Sequence, residues 1–182
     1  MDKSELGAAL REHAYLEGDF VLRSGRRSRY YLDKYRFETY PDLLGPLGAL
    51  IADAVREHDP HAVRLAGPEL GAVPLAAAAS LASRLPFLIV RKEAKAYATA
   101  NRLEGVFDEG ERVCLVEDVV TSAGAAIEAV EVLRQAGLEV GTAICVVDRE
   151  EGGAEALAQK GVRLQALFGA AELLESIAKP HG

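Results

Sequence analysis

The chain has 182 residues, 49% hydrophobic and 27% charged, with a formal charge of −7 at pH 7. That is short of two average domains but enough to bury about two thirds of the unfolded chain's surface, so one folded domain is expected and general disorder is excluded. The acidic balance argues against a general nucleic-acid binder, the apolar stretches break well before the roughly 18 residues of a membrane span, and the polar start lacks the apolar core of a secretory signal.

A first helix is expected over residues 4–15, with Ser4 as its N-cap. Two short strands over 19–22 and 30–33, turning at Ser24 and Gly25, read as a hairpin. A second helix over 41–58 starts on Pro41, which suits a first helical turn. Beyond Pro60 the pattern alternates: strand 62–66, alanine-rich helix 71–83, strand 87–91. A polar connection over 92–111 has no convincing element, and loops of that length are usually functional or disordered. Strand 113–117, a polar turn and a helix to Ala136 follow, with Gly137 as C-cap. The chain closes with strand 140–148, helix 151–160, strand 162–168 and helix 172–179. Strands apolar on both faces, alternating with helices, predict a parallel sheet in an α/β domain. Cys114 and Cys145 lie in strand-like runs and read as reduced core thiols of a cytoplasmic protein, not as a disulfide framework or zinc site.

Charge is unevenly placed. Residues 23–36 hold six basic residues and one acid, and residues 91–104 hold four basic residues and two acids. Two basic islands on an acidic body suit a confined anionic ligand, although charge alone favours a solvated face. The richest segment is 112–125, where an apolar strand ends in Glu117 and Asp118. A turn bearing Thr121, Ser122 and Gly124 follows, and then a helix starts. Ligands of open α/β sheets bind beyond the carboxyl ends of the strands, and a helix start offers unpaired N–H groups to a phosphate. Adjacent carboxylates suit ligand hydroxyls and a divalent cation. Spacing alone leaves open a ligand-free reading in which Asp118 or Thr121 merely caps the helix. The glycine pattern matches neither a Walker loop nor a dinucleotide fingerprint.

The run Val116, Glu117, Asp118, Val119, Val120, Thr121, Ser122, Ala123, Gly124 closely resembles the 5-phosphoribosyl-1-pyrophosphate (PRPP) motif of type I phosphoribosyltransferases. Four further segments resemble the orotate branch of that family, in family order: the N-terminal segment 20–31, the pyrophosphate loop 67–75, the start of a mobile catalytic loop at 91–95, and the strand end 146–153. Two positions depart from relatives: Tyr97 stands where bacterial members carry a histidine, and Leu70 where some carry a lysine.

The resemblance implies a type I phosphoribosyltransferase fold, a mostly parallel twisted sheet flanked by helices. Residues 1–40 would form an N-terminal helix and small hood, and 41–182 the α/β core of a single compact domain. It implies transfer of the phosphoribosyl group from PRPP to orotate in pyrimidine (UMP) biosynthesis. Mg²⁺ would be held mainly by PRPP, with no direct protein ligand. Thr121, Ser122, Ala123, Gly124 and Ala125 would hold the 5′-phosphate, with Val119 and Val120 leading into that loop. Glu117 and Asp118 would bind the ribose hydroxyls. Arg91, Lys92 and Lys95 would contact pyrophosphate, with Lys95 the catalytic residue. Arg149 would pair with the orotate carboxylate, with Arg23 and Thr121 bordering orotate. A homodimer with the mobile loop acting in trans is implied, with neither nucleic acid nor membrane as partner. Two rival readings stand beside it: a purine or uracil acceptor, for which Arg149 has no use, and a PRPP-sensing regulator that binds nucleic acid.

Overall fold

In a computed structural model of the chain, the residues described are 1–21, 25, 27–93 and 102–175. Helix α1 (Lys3–Ala14) is capped at Asp2, two residues before the expected Ser4, because Asp2 and Glu5 form a reciprocal capping box. The chain passes directly into strand β1 (Tyr15–Val21), which pairs antiparallel with β2 (Arg27–Leu32). The hairpin is therefore longer than its two apolar cores suggested. A hydrogen bond from Asp33 N to Ala14 O (2.8 Å) brings its far end back to the base of α1.

A short helix α2 (Tyr35–Glu38), too brief to leave a periodic signal, follows, with Phe37 fully buried. Helix α3 (Pro41–His58) has the expected bounds. Leu43, Leu47, Ile51 and Val55 recur every four residues and form its buried stripe. Then come β3 (Arg64–Pro68), α4 (Ala72–Ser83) and β4 (Phe87–Val90).

The long polar connection contains an element that its sequence hides. Strand β5 (Leu103–Glu104) returns antiparallel to β4, pairing Val90 with Leu103. Two residues are too few for a readable alternation, and pairing with the sheet edge defines the strand. Strand β6 (Arg112–Val120), helix α5 (Gly124–Gln135), strand β7 (Glu139–Asp148), helix α6 (Gly153–Gln159), strand β8 (Arg163–Gly169) and helix α7 (Ala170–Glu175) complete the order. The last expected helix runs to 179, and residues 176–179 lie outside those described.

The main sheet has the order β5-β4-β3-β6-β7-β8, parallel throughout except for β5. Alternation along the strands sends side chains to two cores. Cys114, Val116, Ile144 and Val146 join Leu6 and Leu10 of α1 and the stripes of α3 and α4. Val113, Leu115, Ala143 and Cys145 face α5 and Leu157 of α6. Both cysteines are buried and form no disulfide, and burial pushes their thiols well above the ordinary range. No described helix is long and apolar enough to cross a membrane.

Helices α3 and α4 touch through backbone. A Cβ at Gly48 would lie 2.6 Å from the Cβ of Ala78 and 2.7 Å from its carbonyl carbon. Gly48→Ala should force the helices apart and cost about 1–3 kcal/mol, read as a lower urea midpoint at unchanged slope.

Candidate functional site

Strand β6 carries its acids inside the strand, not at its end. The sequence reading stopped the strand at Glu117, where apolar character breaks. The structure continues it because β7 keeps pairing, Glu117 opposite Cys145 and Val120 opposite Asp148. The turn 121–123 then leads into α5. Ala123 at its N-cap has a left-handed backbone (φ 63°), and no side chain caps the helix start.

This junction walls a cleft with about 220 Å³ of space. Its other walls are Pro68, Glu69, Leu70 and Gly71 of the β3–α4 loop, Lys92 after β4, and Lys34 with Tyr35 from the hood. Of the expected PRPP-binding residues, Lys92, Glu117, Asp118, Val119, Val120, Thr121, Ala123, Gly124 and Ala125 line it. Ser122 is exposed on the same turn. A Cβ at Gly124 would meet nothing within 4 Å, so this glycine leaves room at the helix start. Gly153 has a packing role instead: a Cβ there would lie 2.5 Å from Thr121 O, so its absence lets α6 abut the turn.

The floor of the cleft is a cluster of charge. Glu117 and Asp118 are buried, and so is Glu38 of α2, 1% exposed. Lys34 Nζ lies 2.5 Å from Asp118 Oδ2, and Asp118 Oδ1 accepts from its neighbour's N–H, that of Val119. Burial followed by the charge of Asp118 raises both Glu38 and Glu117 to about 8, with Lys34 pulling the other way. Burial opposes the Lys34 ammonium, but the hydrogen bond and charge of Asp118 outweigh it and lift its pKa. Near neutral pH the cluster thus holds one ion pair and two carboxyl groups that favour their protons. Glu38 Oε1 and Glu117 Oε1 are buried without a hydrogen-bond partner among the described residues. Gly71 closes over them: a Cβ there would lie 2.0 Å from Asp118 Oδ2 and 2.6 Å from Glu38 Oε1.

The remaining expected residues lie around this centre. Glu69 Oε1 accepts from Lys92 N (2.7 Å), tying the two loops together, and the Glu69–Leu70 peptide is cis. Arg91 sits in an adjoining cleft, 3.5 Å from Glu104. Its backbone pairs with that of Arg102, pinning the base of the connection between β4 and β5. Arg149 N donates to Val120 O (2.8 Å), which places this residue beside the end of β6. Its guanidinium lies 5.5 Å from the ring centre of Tyr30 and 3.0 Å from Glu151, and its buried Nε has no partner among the described residues. Arg149 does not line the central cleft. Arg23, Lys95 and Tyr97 lie outside the described residues.

Sequence reasoning missed Lys34 and Glu38. Lys34 was visible only as one cation of the 23–36 island. Glu38 had no signal, because its burial depends on where α2 docks. Of that island, Arg27 pairs with Asp19 (3.7 Å) and Arg36 with Asp33 (3.4 Å), both near the surface.

No protein-family model matches the chain. The orotate phosphoribosyltransferase of Methanocella arvoryzae is 52% identical over 157 residues, 86% of this chain and 88% of that protein. The crystal structure of orotate phosphoribosyltransferase from Aeropyrum pernix superposes with a TM-score of 0.86 at 35% identity, over 97% of this chain and 99% of that one. The Mycobacterium tuberculosis orotate phosphoribosyltransferase in complex with PRPP superposes with a TM-score of 0.80 at 31% identity, over 95% of this chain and 99% of that one.

Glu117 yields a test of the cluster without any substrate. Its carboxyl is raised in the folded state, so between about pH 4.5 and 8 the folded chain holds a proton that the unfolded chain has released. Stability from this group is present in full below that window and is lost as pH rises through it. Glu117→Gln cannot ionise, so its stability relative to wild type should climb by a few kcal/mol from pH 5 to 8.5, measured by urea unfolding at each pH.

Proposed function

The chain belongs to the orotate phosphoribosyltransferase family, and from that premise we propose how its cleft moves the phosphoribosyl group of PRPP onto orotate, yielding orotidine 5′-phosphate and pyrophosphate. The observation that carries the reading is the β6–α5 junction, where buried acids and an uncapped helix start face one cleft. The relatives leave the purine or uracil acceptor and the nucleic-acid regulator without support.

In this reading the 5′-phosphate sits on the N–H groups and hydroxyls of residues 121–125, where the dipole of α5 favours an anion. Glu117 and Asp118 accept from the ribose hydroxyls. As pyrophosphate leaves carbon 1, that carbon takes on oxocarbenium character and the ring nitrogen of orotate closes on it. The chain supplies alignment and charge stabilisation, not covalent chemistry. Lys92, and Arg91 from the adjoining cleft, would neutralise pyrophosphate together with Lys95. Arg149 would bind the orotate carboxylate, for which its planar guanidinium is suited; its unpartnered Nε supports this role. Tyr30 walls that side from the hood, and Arg23 and Thr121 would border the same substrate.

Among the described residues no group of three or more His, Cys, Asp and Glu is placed to hold a metal. As the family resemblance implies, the reading assigns Mg²⁺ to oxygens of PRPP, where it would offset the charge of the departing pyrophosphate. It further assigns the chain to a cytoplasmic homodimer, with the loop bearing Lys95 reaching across subunits. The support is the resemblance of segment 91–95.

Turnover is tested by the fall in orotate absorbance with PRPP and Mg²⁺. Wild type should consume orotate, and chelation of the metal should stop it. Lys95→Ala should lower kcat by orders of magnitude with little change in either KM, as for contacts made mainly in the transition state. Arg149→Gln should act differently, raising KM for orotate at least about tenfold through the lost charge-assisted pair and leaving KM for PRPP near wild type.

A further inference from the structure

We propose that Lys34 is a positioning residue for ribose binding: it acts through Asp118, holding that carboxylate charged and aimed at the cleft. The inference rests on the placement of the PRPP ribose at Glu117 and Asp118.

The geometry is specific. Lys34 is the cation of the 23–36 island that reaches the cleft wall among the described residues, whereas Arg27 and Arg36 pair near the surface. Its ammonium is 2.5 Å from Asp118 Oδ2, and the side chain is one third exposed, so it bridges solvent and the buried acid. The charged groups facing Asp118 come from three elements. Lys34 stands at the end of the hairpin, Glu38 on α2, and Glu117 on the acid's own strand; Asp33 acts on Glu38, and the buried Cys145 thiol of β7 stays protonated. Helix α4 presents the backbone at Gly71, and the first turn of α5 carries no acid.

Three carboxyl groups in one buried cluster cannot all ionise without compensation. Lys34 decides which one does. Asp118 has the ammonium, while Glu38 and Glu117 retain an unpartnered buried oxygen each. An ionised carboxylate accepts from two ribose hydroxyls, and a protonated one gives up part of that capacity. Without Lys34 this ion pair is gone, and nothing fixes where the charge of the cluster resides.

The hood is also joined to chemistry by this pair. Asp33 is bonded to the end of α1, and Lys34 is the next residue, so the pair ties the hairpin base to the strand bearing the ribose acids.

The test is steady-state kinetics of the whole chain with PRPP, orotate and Mg²⁺ from pH 5.5 to 9, on Lys34→Met, Lys34→Gln and Lys34→Arg, each checked for its melting temperature. The uncharged variants should raise KM for PRPP about tenfold and change kcat by less than about threefold. Their acid limb of kcat/KM for PRPP should move up by about one pH unit, because Lys34 pulls the carboxyls of Glu117 and Glu38 down and its removal lets them rise. Lys34→Arg should restore both. Asp118→Asn should raise KM for PRPP by itself, and adding Lys34→Met to it should raise KM little further. An unmoved limb and KM in the folded uncharged variants overturn the proposal, whatever the melting temperature does. Failure of both to fold assigns Lys34 to the fold and overturns it too. If Asp118→Asn leaves KM for PRPP unchanged, the ribose placement itself fails, a result distinct from failure at Lys34.

Discussion

Burying carboxyl groups at the floor of a cleft is costly, and the surroundings of that floor are arranged around the cost. Glu38, Glu117 and Asp118 are nearly withdrawn from water, yet one ammonium, that of Lys34, faces them. An isolated carboxylate would surrender its charge in such a place. Two of the three do favour their protons up to about pH 8. The third keeps an ion pair at its side. What the cleft offers a ligand is one charged acceptor flanked by two carboxyl groups whose protonation follows pH.

That arrangement explains why distant segments meet there. Strand β6 lies central in the sheet and extends beyond its apolar part only because β7 pairs with it as far as Val120. The β3–α4 loop approaches closely enough to cover the acids because residue 71 has no side chain. The hood contributes through a short route: hairpin, Asp33, Lys34 and α2. Each piece is ordinary in isolation. Their convergence converts a strand end into a polar cavity adjoining two apolar cores.

How much of this was legible in the sequence depends on whether a feature is local. The extent of α3, its Pro41 start and the alternation of strands and helices are set by spacing along the chain, and the structure repeats them. The β6–α5 segment was readable for the same reason, since acids, hydroxyls and glycine follow in sequence. Features created by tertiary pairing were not. Strand β5 exists because Leu103 finds Val90. The last residues of β6 are strand because β7 holds them. Asp2, not Ser4, caps α1 because Glu5 answers it three residues later, a signal that was present and passed over. Glu38 looked like any surface acid, and only the docking of α2 buries it.

The two cations bordering the centre share a logic that spacing could not reveal. Lys34 is held by Asp118 and Arg149 by Glu151, so neither stands as a bare charge facing an empty cleft. A cation held by an internal carboxylate keeps its orientation, and the attraction of the pair offsets part of the cost of desolvating it. It also discriminates. A ligand gains at such a site only if its own oxygens replace or extend the internal pair, which a planar carboxylate at Arg149 can do and a neutral ring cannot. Glu151 sits on the segment that leads into α6, and Gly153 lets that helix abut the turn at Thr121. Arg149 and the turn at Thr121, to which the proposed function gives the acceptor and the phosphate, thus lie at one packed corner. Charge pairing sets the preference there, and close backbone packing keeps its geometry.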